Sequence, residues 1–360
     1  MMTCDARRTA VRNTLARNRA QALLVSDPVN VRYLTGFESS NAFLLIATEG
    51  AALFTDFRYR DAAEELARRQ GLETVIITKG LARAVAGWCR AHGIRRAAFE
   101  DHHLTVASFR LLRTKARGIA WLPAAVPVAS IRAVKDAAEL RAIRRAVTVA
   151  EDAFRSIPPR AWVGLTELEA AEMLEERMRA AARRHGWHAD RAFSSIVAAG
   201  ANASMPHHTP SAARIRAGTL LKIDWGARVD GYCSDITRTL YLGRPDRRFK
   251  SIYATVLEAQ RAAIKAVKPG VRLKDVDAAA RTVIARAGHG ECFGHGTGHG
   301  IGMQVHEGIA VNARSGDEAK PGMVFTIEPG IYVPGWGGIR VEDMVVVTRT
   351  GVRVLTRLAK

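Results

Sequence analysis

Short apolar runs alternate with longer, arginine-rich stretches over the first third of the chain. Ala22-Leu23-Leu24-Val25, closed by Ser26-Asp27-Pro28, predicts a buried strand that ends in a turn. Apolar residues over 43–47 and 51–54 flank Thr48-Glu49-Gly50, the pattern of a hairpin. Residues 74–78 and 97–100 predict two further strands with helices between them, which together make a small α/β domain. Over 121–132 the periodicity stops at prolines, and this segment reads as a linker. Asp136 with Glu139 then has the type and spacing of a capping box, followed at helical spacing by Leu140, Ile143, Val147 and Phe154, until Pro158-Pro159 stops the helix. Thr166 with Glu169 repeats the device for a helix to about residue 184. Two more helices are expected over 249–267, ended by Pro269-Gly270, and from 273 to a cap at Gly288. Between and after them, 193–198, 219–242 and 323–347 are strand-rich, which makes the second domain α+β with largely antiparallel strands. The expected division is a domain over 1–125, a linker over 126–135 and a second domain over 136–360.

Composition narrows the class. At 360 residues two domains are the natural expectation, and 48% apolar with 25% charged residues is ordinary for a soluble globular enzyme. Arginines interrupt the N-terminal stretch, so no secretory h-region is read there, and no apolar run is long enough for a bilayer. A cytoplasmic protein without membrane contact is expected, with Cys4, Cys89, Cys233 and Cys292 reduced. The net charge of +19 permits polyanion binding, but the arginines are spread over helices without interleaved aromatics, so no specific nucleic-acid partner is expected.

Candidate chemistry begins with Gly294-His295-Gly296-Thr297-Gly298-His299-Gly300-Ile301-Gly302, closed by Val305-His306-Glu307. His295 and His299 have the spacing of two ligands on one helical face, but the glycines between them would cost a helix several kcal/mol, at about 1 kcal/mol each. The run is therefore read as an extended segment that something approaches closely. Asp224 and Asp235 lie on two strands joined through Val229-Asp230-Gly231. They are directly opposite if Val229-Asp230 is the turn and diagonal if Asp230-Gly231 is, and both registers put them on one face. Two carboxylates so placed repel each other unless a divalent cation sits between them; the bland alternative is one Asp facing solvent or capping a turn. Glu328 and Glu342 repeat the design inside two apolar strands joined by a Pro/Gly-rich connection. Arg340, two residues from Glu342, is placed to orient it, unless the two form an exposed ion pair. Four carboxylates and one histidine balance two divalent cations and favour Mn(II), Co(II) or Zn(II) over a thiolate-type site.

These segments resemble the pita-bread metallopeptidases, which include aminopeptidase P, prolidase, methionine aminopeptidase and creatinase. The resemblance rests on Ile223-Asp224-Trp225-Gly226-Ala227, Ser234-Asp235-Ile236-Thr237-Arg238-Thr239, the histidine run with Val305-His306-Glu307, Thr326-Ile327-Glu328-Pro329-Gly330 and Ile339-Arg340-Val341-Glu342-Asp343. The segment Asp27-Pro28-Val29-Asn30-Val31-Arg32-Tyr33-Leu34-Thr35-Gly36-Phe37 is similar to the opening of the aminopeptidase P and prolidase branch, so the likeness covers nearly the whole chain. It implies a C-terminal pita-bread domain with a curved, mostly antiparallel sheet, behind a smaller α/β N-terminal domain. It also implies metal ligands at Asp224, Asp235, His299, Glu328 and Glu342. His306 falls where the family contacts substrate near the scissile amide, and His207 where it assists the tetrahedral intermediate, with His208 as the neighbouring alternative. His295 and Arg340 fall on the substrate-binding side or just behind the ligands. His102, His103, His185, His188 and His289 have no such context. Pro159-Arg160-Ala161-Trp162-Val163-Gly164 departs from the tighter Pro-Gly turn usual in the family, in a surface loop.

The resemblance further implies two divalent ions, Mn(II) foremost with Co(II) or Zn(II) as alternatives, and Glu328 as general base. The N-terminal domain argues against methionine aminopeptidase, and the full ligand set argues against creatinase. The expected activity is an Xaa-Pro aminopeptidase acting on peptides with proline second, with Xaa-Pro dipeptidase (prolidase) the alternative; a homodimer is expected. A metal-free relative that serves as a protein- or nucleic-acid-binding module is the non-enzyme alternative, and the retained ligands speak against it.

Overall fold

A computed structural model describes residues 2–17, 19–124 and 127–360. The chain divides into two compact units, Met1–Arg132 and Ala133–Lys360. Ala125 and Val126, where the first domain was expected to give way to the linker, lie outside the described residues. Much of the expected linker has regular structure. Ala120–Ala124 is an edge strand and Pro127–Ala133 is a helix. The prolines that removed the periodicity stand at positions that tolerate them, Pro123 within an edge strand and Pro127 at a helix start.

The N-terminal unit is built on a six-stranded sheet in the order Glu73–Ile76, Ala51–Thr55, Ala42–Ala47, Ala22–Val25, Arg96–Glu100, Ala120–Ala124. The expected hairpin joins Ala42–Ala47 to Ala51–Thr55, and the outer pairings are parallel. Asp27 to Gly36 spells a complete helix. Asp27 caps its start through Val29 N–H at 2.9 Å, Pro28 takes the first turn, and Gly36 ends it in the left-handed region at φ 75°. Beneath this helix the Glu100 carboxylate is fully buried and accepts from Ser26 N–H (2.7 Å), Asp27 N–H (2.8 Å) and Asn30 Nδ2 (2.6 Å). Burial raises its pKa against the pull of those donors. Glu100→Ala is expected to weaken this unit by about 1–3 kcal/mol per orphaned donor. Hydrogen exchange of the Pro28–Thr35 amides measures the loss, and unchanged protection would remove Glu100 from this role.

The second unit repeats one arrangement twice. Helices Ala137–Arg155 and Glu167–Arg184, both opened by the expected capping boxes, pack together and cover the strand Leu220–Trp225. Trp225 is their anchor. Its ring stacks on Phe154 at 4.6 Å, and its Nε1 donates to the Ala150 carbonyl at 3.0 Å. Helices Arg247–Ala266 and Leu273–Arg286 likewise pack together and cover Val324–Ile327, Gly330–Val333, Gly337–Arg340 and Asp343–Val347. Among the described residues, every strand pairing in this unit is antiparallel. Each helix pair seals the outer face of a β-segment, and the inner faces are left to carry polar side chains.

Candidate metal centre

All six residues of the strand Leu220–Trp225 are buried, Asp224 among them. Its partner is Ile236–Tyr241, and the register decides between the two turns open in the sequence. Val229 pairs with Tyr232, so the turn is Asp230-Gly231, both at positive φ (53° and 81°). Asp224 therefore faces Thr237, and Asp235 lies diagonally on the same face. Where the hairpin bends, a Cβ on Gly226 would lie 1.9 Å from the Ser234 carbonyl oxygen, so only glycine fits there.

In the second hairpin Ile327 pairs with Asp343 and Gly330 with Arg340, and the same count sets Glu328 across from Glu342. The backbones of the two glutamates are not paired with each other. Glu328 N–H donates to the Thr297 carbonyl (2.8 Å) and Glu342 N–H to the Thr237 carbonyl (3.2 Å). This break in the ladder ties the second hairpin to the histidine segment on one side and to the first hairpin on the other. The histidine segment is extended, as its glycines imply: Gly298–His299 pairs with Ala310–Val311. A Cβ on Gly298 would lie 1.9 Å from the Thr326 carbonyl oxygen, which explains the glycine beside the histidine.

These three segments bring the expected ligands together. Asp235, His299 and Glu342 each offer a ligand atom within 4.8 Å of the others. His299 Nε2 lies 3.3 Å from Glu328 Oε1 and 3.5 Å from Asp235 Oδ2. Asp224 joins through Arg340, whose Nη2 pairs with Asp224 Oδ2 while its Nε lies 3.9 Å from Glu328 Oε2. Arg340 is 2% and Glu342 1% exposed, which excludes a surface ion pair. It also corrects the expectation for Arg340: its direct partner is Asp224, and it reaches Glu342 through Thr237, whose hydroxyl accepts from Arg340 Nε (3.0 Å) and donates to Glu342 Oε2 (2.6 Å).

The donor set fits a divalent cation on grounds internal to this structure. Among the described residues, Asp224 Oδ1 and Glu342 Oε1 are buried and have no hydrogen-bond partner, an arrangement that is costly unless a cation completes it. Burial first, and the neighbouring carboxylates second, push Asp235 and Glu342 well above the ordinary carboxylate range. Burial also opposes ionisation of Glu328, but the hydrogen bond and charge of His299, with Arg340, outweigh it and bring Glu328 to about 2. In the same contact Glu328 overcomes the burial of His299 and raises its pKa. Metal ligation needs Asp235 and Glu342 ionised, so loading the metal-free protein at a pH between the usual carboxylate range and their raised one is expected to release protons, with affinity rising as pH rises. Calorimetry in two buffers of different ionisation enthalpy reads the proton number, and a value of zero would count against these ligands.

A cleft of about 520 Å³ opens over the cluster, lined by all five carboxylate and imidazole candidates and by His207, His295 and His306. His207 and His306 are exposed at the cleft, and the His306 ring meets His299 edge-on at 4.0 Å. The neighbouring alternative, His208, is committed elsewhere: its Nε2 lies 2.8 Å from the buried Glu167 carboxylate. His295 stands behind the ligands. Its Nε2 lies 2.9 Å from the Tyr332 hydroxyl, which accepts from Arg340 Nη1 at 2.9 Å.

Several residues around the site carried no assignment in the sequence. Thr326 donates to Glu328 Oε1 at 3.1 Å, and Thr237 holds Glu342. Their signal was available, as hydroxyls at period two from a carboxylate in an apolar strand. Glu307, inside the histidine motif, forms a buried ion pair with Lys135 at 3.0 Å and accepts from Gln304 N–H, which fixes the loop that carries His306. Lys135 is distant in sequence and gave no signal.

Residues 141–349 match the metallopeptidase family M24, and residues 7–134 match the creatinase/prolidase N-terminal domain. The chain is 37% identical to the uncharacterized peptidase YqhT of Bacillus subtilis over 97% of both chains. The structure of an Xaa-Pro dipeptidase from Bacillus anthracis superposes with a TM-score of 0.93 at 34% identity, covering 99% of each chain. That of an X-Pro aminopeptidase from Thermotoga maritima gives 0.85 at 33% identity, over 95% of this chain and 98% of that one. The α+β architecture behind a smaller α/β domain is thus the pita-bread fold. With buried paired carboxylates, a histidine among them and a cleft above, the chain belongs to metallopeptidase family M24, with a creatinase/prolidase N-terminal domain ahead of its catalytic domain.

Proposed function

We propose that the protein is an exopeptidase that hydrolyses the bond between an N-terminal residue and proline in peptides, an Xaa-Pro aminopeptidase. The carrying observation is the convergence of four carboxylates and His299 beneath a cleft whose rim bears His207 and His306. Asp224, Asp235, His299, Glu328 and Glu342 would hold two divalent ions, Mn(II) foremost. When bound, such ions supply an acidified water and positive charge for a developing oxyanion.

The chain's own groups do the remaining work. Glu328 Oε1 is held by Thr326 and His299, so Oε2 is the atom placed to accept the proton of the attacking water and pass it to the prolyl nitrogen. His207, exposed on the cleft, donates to the carbonyl oxygen as it gains charge. His306 holds the peptide beside the scissile bond. Arg340 pairs with Asp224 and orients it, and the His295–Tyr332–Arg340 chain braces it from behind.

The likeness to the Bacillus anthracis Xaa-Pro dipeptidase favours a second reading, action on dipeptides alone. Mn(II)-dependent release of the first residue from Xaa-Pro-Xaa and from Xaa-Pro separates them. Cleavage of the tripeptide supports the aminopeptidase, cleavage of the dipeptide only makes it a prolidase, and hydrolysis of neither by metal-loaded protein overturns both. A cytoplasmic homodimer belongs to the same reading, and sedimentation tests the dimer. Among the described residues no helix is long and apolar enough to cross a membrane.

A further inference from the structure

Lys222 is an ionisable side chain in the middle of a fully buried strand, and it is 0% exposed. It stands two residues from Asp224, hence on the same face of the strand, the face turned toward the site. A buried amine is costly unless its donors find acceptors. Here they are used on one short stretch of backbone. Nζ donates to the carbonyl oxygens of Ala203 (3.0 Å), Met205 (2.6 Å) and Pro206 (3.4 Å). These carbonyls belong to the end of the 3₁₀ turn Gly200–Ser204 and the residues just after it, where backbone acceptors are left over. The next residue is His207.

The stretch is held from two more directions. Arg340 Nη1 donates to the Pro206 carbonyl at 3.3 Å, and His208 is tied to Glu167. Lys222 Nζ also lies 5.2 Å from the centre of the Tyr332 ring, the ring whose hydroxyl joins His295 to Arg340. His207 itself is exposed, so its position depends on the backbone that carries it. We infer that Lys222 is a positioning residue that clamps the Ala203–Pro206 backbone so that the His207 imidazole is presented to the carbonyl oxygen of the substrate. The inference rests on the Xaa-Pro hydrolase reading and adds to it a role for a side chain that touches neither metal nor peptide.

The test is a double-mutant cycle on the metal-loaded, full-length protein, with an Xaa-Pro-Xaa peptide as substrate and metal affinity measured in parallel. Lys222→Met keeps an unbranched side chain one atom shorter and removes its donors. It is expected to lower kcat about ten- to a hundredfold, short of the about 10²–10³ that outright loss of an oxyanion donor costs, with KM and Mn(II) affinity nearly unchanged. In a His207→Ala background the same change is expected to lower kcat by less than about threefold, because the group it positions is already gone. Lys222→Gln, which restores a donor on a shorter side chain, is expected to recover part of the rate and takes over the cycle if Lys222→Met does not fold. Equal losses in both backgrounds, or a fall in metal affinity that accounts for the loss, would overturn the inference by assigning Lys222 to general support or to Asp224. A parent protein inactive on every Xaa-Pro substrate would instead overturn the functional reading itself.

Discussion

Glu328→Gln is expected to leave a folded protein that hydrolyses Xaa-Pro peptides about 10²–10⁴-fold more slowly, the range that loss of a positioned acid–base group costs. The structure separates this effect from damage to the fold. Glu328 is held at one oxygen by Thr326 and His299, and the amide of glutamine keeps an oxygen for those contacts. What it loses is the second oxygen as a proton acceptor, facing the Arg340 side of the cleft. The check is kcat for an Xaa-Pro-Xaa peptide with Mn(II) occupancy determined on the same sample. A variant that binds metal and keeps more than about a tenth of the parent rate would remove Glu328 as the base.

The largest effect on stability is expected at Arg238, in the stretch Asp235-Ile236-Thr237-Arg238-Thr239. Its guanidinium is 2% exposed, and all five of its N–H donors are used. Nε donates to the Ala359 carbonyl, Nη1 to the carbonyls of Thr237 and Glu342, and Nη2 to Asp343 Oδ1 and the Leu358 carbonyl. One side chain therefore joins the strand of Asp235, the residue pair Glu342-Asp343 and the chain end over 358–359. Arg238→Leu removes one of the two ion-pair partners of the buried Asp343, leaving Lys360 Nζ at 2.5 Å, and orphans the buried carbonyls that the guanidinium held, at about 1–3 kcal/mol for each group left unsatisfied. Arg238→Lys is expected to recover little, since an ammonium has three donors and no planar fork. Urea unfolding of the metal-free protein measures the first effect. Because Arg238 holds the Glu342 carbonyl, Mn(II) affinity is expected to fall as well. A leucine variant as stable as the parent would show that the surrounding backbone needs no such staple.

Much of the architecture is legible in the sequence, for definite reasons. Both capping boxes, Asp136/Glu139 and Thr166/Glu169, form as their spacing requires, because a cap is a local hydrogen-bond problem solved within four residues. The strands of the N-terminal sheet fall where short apolar runs predict them. The exceptions share a cause: the prolines around 123–127 looked like a linker, but a proline at a sheet edge or a helix start needs no interior N–H.

In the site, residue types and order named the carboxylates, and the glycine spacing of 294–302 excluded a helix. The register of the first hairpin stayed open between two turns, since a one-residue shift is invisible in composition. Arg340 reaches Glu342 only through Thr237 and pairs directly with Asp224, because period two identifies a shared face and says nothing of which neighbouring strand supplies the direct partner. Lys222 and Thr237 act on groups that another segment brings to them, whereas Thr326 holds Glu328 only two residues away on its own strand.

Taken by itself, then, the sequence determined which side chains carry charge, which backbone stretches must be extended or helical, and that paired carboxylates called for a cation. Those are properties of one residue or one local segment. Tertiary structure alone decided that Asp224 faces Thr237 and pairs with Arg340, that Glu328 and Glu342 part company to bond to two different strands, and that a buried lysine clamps the backbone before His207. Each of these depends on which chain segment arrives within about 3 Å of another, a distance at which hydrogen bonds and ion pairs act. Sequence spacing does not encode that proximity, whether 13 residues separate the partners, as for Asp224 and Thr237, or 116, as for Asp224 and Arg340.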